Sequence, residues 1–125
     1  MKRCVNMGNS LENAVDQGWG GGKNVSLEDF ERIKSKGFDT VRIPVRWDDY
    51  TGGAPDYTID PAFAARVQTI VDNALSQDLN VILNIHHFHE IMDAPEAYMP
   101  KLKRMWEQIS LQFADYPPTL WFETL

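Results

Sequence analysis

Along residues 37–47, GFDTVRIPVRW, the side chains alternate with strand periodicity. Val41, Ile43 and Val45 share one parity, while Thr40, Arg42 and Pro44 share the other. A guanidinium opposite an apolar face requires a reason, because a charge is seldom buried unpaired. The run NVILNIHHFHE over 80–90 repeats the arrangement, with Val81, Leu83 and Ile85 on one face and Ile82, Asn84 and His86 on the other. Both strands thus carry polar groups near their C-terminal ends, on the face turned away from the covering helices. In an α/β barrel that is the active-site end.

The same periodicity predicts strands over 3–8, 39–45, 80–86 and 119–125, with helices between them. A Gly-rich loop over 9–23 follows the first strand. Ser26 and Asp29 form a near capping box for a helix that runs through Phe30 and Ile33 and ends at Gly37, a favourable residue just past a helix. The next helix starts with Asp60 as N-cap and Pro61 in the first turn; Phe63, Val67, Ile70, Val71, Ala74 and Leu75 form its apolar stripe. A third helix spans 98–114, with Leu102, Met105, Trp106, Ile109 and Phe113 inward, and Tyr116-Pro117-Pro118 ends it. Trp106 and Trp121 read as core residues. The order is (βα)3β: one α/β domain over 1–125 with a parallel sheet. A closed (β/α)8 barrel takes about 200 residues or more, so the pattern is that of half a barrel with two open strand edges.

Composition narrows the function without naming it. A net charge of −6 opposes a nucleic-acid partner, which calls for clustered Lys and Arg. No apolar run approaches the roughly 20 residues of a membrane span, so no membrane partner is expected. Met1-Lys2-Arg3 leads directly into the first strand without a signal-peptide pattern, and the compartment stays open. Cys4 is the one cysteine, which leaves no internal disulfide and no thiolate metal cluster. The glycines around Trp19 lack the Lys-Ser/Thr ending of a phosphate loop.

Four stretches in order, MGNSLE, GFDTVRIPVRW, VILNIHH and LWFETL, closely resemble the family 5 glycoside hydrolases, with endo-β-1,4-glucanases (cellulases) the nearest match. The resemblance covers essentially the whole chain. It implies the (β/α)8 TIM-barrel fold, here its first half, and retaining hydrolysis of a β-linked polysaccharide or oligosaccharide by two glutamates without metal or other cofactor. Such enzymes are usually secreted. By the same resemblance, Arg42 supports the nucleophile glutamate and His86 lies in the subsite where the bond is cleaved, with His87 a neighbouring contact. Asn9 and Glu12 fall in the loop after the first strand, and Trp47 and Trp19 are placed to line a sugar cleft with their flat rings. The acid/base of this family belongs to an Asn-Glu-Pro motif at the end of the fourth strand, and the nucleophile comes from the seventh. Neither catalytic glutamate is present before Leu125. Glu123 corresponds to an earlier inward glutamate, lower in the strand.

Other readings compete. His86, His87, His89 and Glu90 invite a metal site, but adjacent strand residues face opposite sides and the helical HExxH spacing is absent. A histidine that hydrogen-bonds sugar hydroxyls is the expectation for His86; for His87 and His89 a packing or loop role competes with a functional one. A half-barrel is also suited to be a non-catalytic glycan-binding module. It would cover its open edges by self-association or with a C-terminal half-barrel partner.

Overall fold

The computed structural model describes residues 1–12 and 25–124. Four parallel strands form one sheet in the order β1 (Cys4–Asn6), β2 (Thr40–Ile43), β3 (Asn80–Asn84) and β4 (Leu120–Glu123). Helices fill the connections: α1 (Leu27–Ser35), α2 (Pro61–Ser76), a short α3 (His89–Asp93) and α4 (Pro95–Gln112). A 3-10 turn, Asp48–Tyr50, follows β2.

Local chemistry explains the boundaries. The Asp29 carboxylate accepts from the Ser26 backbone N–H at 2.9 Å, supporting the first turn of α1. Gly37, at φ 80°, takes the left-handed position beyond α1 that a side chain would resist. Asp60 accepts from the Phe63 backbone N–H at 2.8 Å, and Pro61 opens α2. The strands are shorter than the alternation suggests, because ladder pairing stops before the polar C-terminal ends. The region after β3 differs most from expectation. Instead of a loop running to residue 98, it folds into α3 and then α4, which begins at Pro95. Pro95 at the first helical position favours that early start.

The register aligns Asn6 with Arg42, Arg42 with Ile82, and Asn84 with Glu123. One face therefore gathers Asn6, Arg42, Asn84 and Glu123, whereas Val41, Ile43, Val81, Leu83 and Leu120 are buried in the core. Phe63, Val67, Ile70, Val71 and Ala74 of α2, with Met105 and Ile109 of α4, supply the other half of that core. Apolar burial of this kind contributes about 1.5–3 kcal/mol per large side chain. It fixes the strands, and with them the polar face.

Trp121 departs from its expected core position. It has the parity of Glu123, on the face opposite the helices, and is 49 % exposed. Trp106 is half-buried against the core, with its ring edge-on to Phe122.

Candidate active site

The alternation that buries Val41 and Ile43 turns Arg42 to the opposite face. Its side chain reaches across β3 to β4, where Nε and Nη2 donate to the two oxygens of Glu123, both at 2.7 Å. Nη1 donates to Asn6 Oδ1 on β1 at 2.9 Å. Such a fork matches a carboxylate in two places at once and is stronger and more directional than a single charged contact. The pairing holds the Glu123 carboxyl below the usual carboxylate range; a hydrogen bond from Asn84 adds to the effect and partial burial opposes it. The Glu123 partner raises the Arg42 pKa in return.

Asn84 is the buried centre of this face, only 1 % exposed. Its Oδ1 accepts from the Val45 backbone N–H at 3.2 Å, its Nδ2 lies 3.3 Å from Glu123 Oε1, and the same Nδ2 lies 3.4 Å from His86 Nδ1. The His86 backbone N–H donates to Val45 O at 2.8 Å, which ties the ends of β2 and β3 together. Burial depresses the His86 pKa, helped by His87 and the Arg42 guanidinium and opposed by Glu12 and Glu123. These influences together favour the neutral imidazole.

The expectation that His86 and His87 face opposite sides fails. β3 ends at Asn84, and His87 sits at φ 63° in the left-handed region, so strand alternation no longer applies. Their ring centroids lie 4.1 Å apart, and His87 stacks near His89 at 5.6 Å. The His87 pKa is lowered as well, chiefly by burial and then by His89 and Arg46. Among the described residues no three His, Cys, Asp or Glu side chains are grouped to hold a metal ion.

Trp47 is corrected outright. It is fully buried, its Nε1–H donates to Asn84 O at 3.0 Å, and its ring packs edge-on to Phe63. The chain turns at Trp47 into the 3-10 turn, so the indole is held inside and offers no stacking face to a sugar. Instead it fixes the backbone beneath Asn84. Glu12 is also buried, and its carboxylate accepts from the backbone N–H groups of Asn9 and Ser10, at 3.0 Å for Ser10. It anchors the loop after β1 instead of presenting itself as a sugar contact. Asn9 remains exposed at the tip of that turn, with φ 62°. Trp19 lies outside the described residues.

Neither Asn6 nor Asn84 stands out as a site residue in the sequence, although the alternation already puts Asn84 on the polar face. The available signal was parity: Asn84 shares Arg42's side of the sheet, two positions before His86. Asn6 occupies the position paired with Arg42. What the site offers is a clamped carboxylate, an imidazole and amide groups on one polar face of the sheet. Among the described residues, the carboxylate of that set, Glu123, is paired with Arg42.

The comparisons with known proteins point the same way. The sequence model of the cellulase family, glycosyl hydrolase family 5, matches residues 5–125. Endoglucanase A of Ruminococcus albus is 39 % identical over an alignment that covers the whole of this chain and 37 % of that protein. The crystal structure of endoglucanase Cel5A from the hyperthermophilic Thermotoga maritima superposes with a TM-score of 0.92 at 40 % identity, covering 98 % of this chain and 39 % of that one. A broad-specificity endoglucanase from Clostridium acetobutylicum gives 0.92 at 36 % identity, covering 100 % and 39 %. The chain thus spans less than two fifths of the length of each of these relatives. These neighbours are (β/α)8 barrels, and the four parallel strands described above match the N-terminal half of that fold. The chain belongs to glycosyl hydrolase family 5, the cellulases.

Proposed function

We propose that residues 1–125 form one domain, the N-terminal half of the barrel of a retaining endo-β-1,4-glucanase, and supply part of the glycan-binding floor of its cleft. The bidentate Arg42–Glu123 pair, with Asn84 and His86 beside it, is the observation that carries this reading. A neutral imidazole and amide groups suit the hydroxyls of a β-linked glucan, and Asn9 adds an exposed amide at the loop.

Retaining hydrolysis needs two carboxyls about 5–5.5 Å apart, one to protonate the leaving oxygen and one to attack the anomeric carbon. Glu123 is committed to Arg42, and Glu12 to its own loop. In this reading the two catalytic glutamates lie beyond Leu125. Where the nucleophile joins the site, the Arg42 guanidinium helps to keep it ionised, because a nearby cation lowers a carboxylate pKa. The 125-residue polypeptide alone is then expected to bind cello-oligosaccharides weakly and to hydrolyse none. An assay of the pure chain on soluble β-1,4-glucan tests this, with reducing ends as the readout. Release of new reducing ends by a sequence-verified sample would overturn the inactive-half reading.

A second reading, an assembly module, is favoured by the two sheet edges. Trp121 and Phe122 on β4 are about half exposed, and a groove of about 630 Å³ lined by Val5, Met7, Ile33 and Phe38 runs beside β1. Concentration-dependent size in solution separates pairing, with itself or with a C-terminal half-barrel, from a monomer.

A further inference from the structure

We propose that Asn84 sets the tautomer of His86, holding the ring as the neutral Nε2–H form, so that the imidazole presents a hydrogen-bond donor to the substrate. The role of His86 toward substrate rests on the glycan-cleft reading above; the tautomer itself does not.

The argument starts from the amide of Asn84, whose orientation is fixed twice over. Its oxygen faces the Val45 backbone N–H at 3.2 Å, a group that only donates. Its nitrogen faces Glu123 Oε1 at 3.3 Å, and that carboxylate, held ionised by Arg42, only accepts. Exchanging the two amide atoms would set donor against donor at one end and acceptor against acceptor at the other. The NH2 group therefore lies on the His86 side, 3.4 Å from Nδ1.

A proton on Nδ1 would confront that NH2 group with a second donor. Nδ1 must accept, and in a neutral imidazole the proton then resides on Nε2. The charges around the ring agree with neutrality. Arg42 of β2 and the neighbouring His87 oppose a second proton, as does burial, while Glu12 of the β1 loop and Glu123 of β4 favour it and are outweighed. Asn84 is itself clamped by 99 % burial and by Trp47, whose Nε1–H holds the Asn84 carbonyl at 3.0 Å. Nε2 lies on the far side of the ring from Asn84. Among the described residues it has no hydrogen-bond partner, which leaves its N–H for a ligand oxygen. Asn84 acts through His86 and is a positioning residue.

Long-range proton–nitrogen NMR correlations of the imidazoles, recorded on the ¹⁵N-labelled 125-residue chain at pH 7.5, read the tautomer directly. The expected spectrum has His86 with a protonated Nε2 and a bare Nδ1. Asn84→Asp replaces the donor with an acceptor; it should move the proton to Nδ1 and raise the His86 pKa. Asn84→Ala removes the donor and should give a mixture of tautomers. Backbone amide spectra check that each variant remains folded. A protonated Nδ1 in the unaltered chain overturns the proposal whether or not either variant folds. So does an unchanged Nε2–H form in a folded variant, since another group would then be setting it. Titration with cellotetraose is read separately. Failure of the unaltered chain to bind it removes the glycan reading, and the tautomer result stands on its own.

Discussion

The two faces of the sheet are held by different physics. On the helix side, Val41, Ile43, Val81 and Leu83 are buried among the apolar residues of α2 and α4, and their mutual attraction has no preferred direction. On the other side Asn6, Arg42, Glu123 and Asn84 are joined by directed hydrogen bonds that touch all four strands. The apolar face supplies most of the stability, and the polar face fixes which side chains meet through directed, charge-assisted hydrogen bonds. Mutations should therefore split: large losses of stability on one side, and small pH-dependent ones on the other.

The largest effect belongs to the apolar face. Leu83→Ala leaves a cavity in a fully buried site and should cost about 3 kcal/mol. Urea unfolding measures it. A loss under 1 kcal/mol would mean that the helices do not pack on β3 as described.

Asp48 is the place where the division fails, a carboxylate buried beside the core. Its Oδ2 lies 3.6 Å from Arg46 Nε, and Oδ1 has no hydrogen-bond partner among the described residues. Burial pushes its pKa up to about 6, against the pull of Arg46. An acid whose folded pKa lies above its unfolded value of 3.8 favours the protonated form on folding. Its ionisation thus removes stability as pH rises from about 4 to about 6, and the loss persists above that. Asp48→Asn should accordingly gain about 1–3 kcal/mol at pH 8 and little at pH 4. Thermal unfolding across that range decides it; equal effects at both pH values would show that Asp48 is not ionising inside the fold.

Glu123 runs the opposite way. Arg42 lowers its pKa, so its contribution is present above the unfolded carboxylate pKa and disappears as pH falls through the folded one. The side chain is 39 % exposed, and solvent screens the pair. Glu123→Gln should cost up to about 1 kcal/mol at pH 7 and less at pH 3. The same cost at both pH values would assign it to packing, and the contrast between the two faces would lose its electrostatic half.

The legible parts of this molecule were those governed by period and by caps. Asp60 and Pro61 announce α2, the alternation in 39–45 and 80–86 gives both faces, and Arg42 demands a partner on the polar side. The partner's identity was not legible, because Arg42 and Glu123 are 81 residues apart and meet only through the register of β2, β3 and β4. Nor was the fate of Trp47. A tryptophan just past a strand end reads equally well as a platform or a peg, and the 3-10 turn that follows, together with Phe63 on α2, decides for the peg. His86 and His87 depart from expectation for a related reason: strand alternation does not extend to His87, three residues beyond the last ladder pair at Asn84.

Trp121 should give the smallest effect and the sharpest test of what covers the polar face. It projects from β4 on the side of Glu123, half exposed, and its Nε1–H donates to Pro118 O three residues back, at 2.8 Å. In an isolated chain Trp121→Ser changes stability by no more than about 0.5 kcal/mol, as for other surface positions without special contacts. If β4 pairs with a second copy or another half-barrel, the indole is buried in the assembly, and its loss costs several times more. That extra cost grows with protein concentration, because association stabilises the folded form by mass action. Unfolding curves for both chains at two concentrations a hundredfold apart distinguish the cases. A small, concentration-independent difference leaves the polar face open to solvent, whereas a large one that rises with concentration makes it half of an interface.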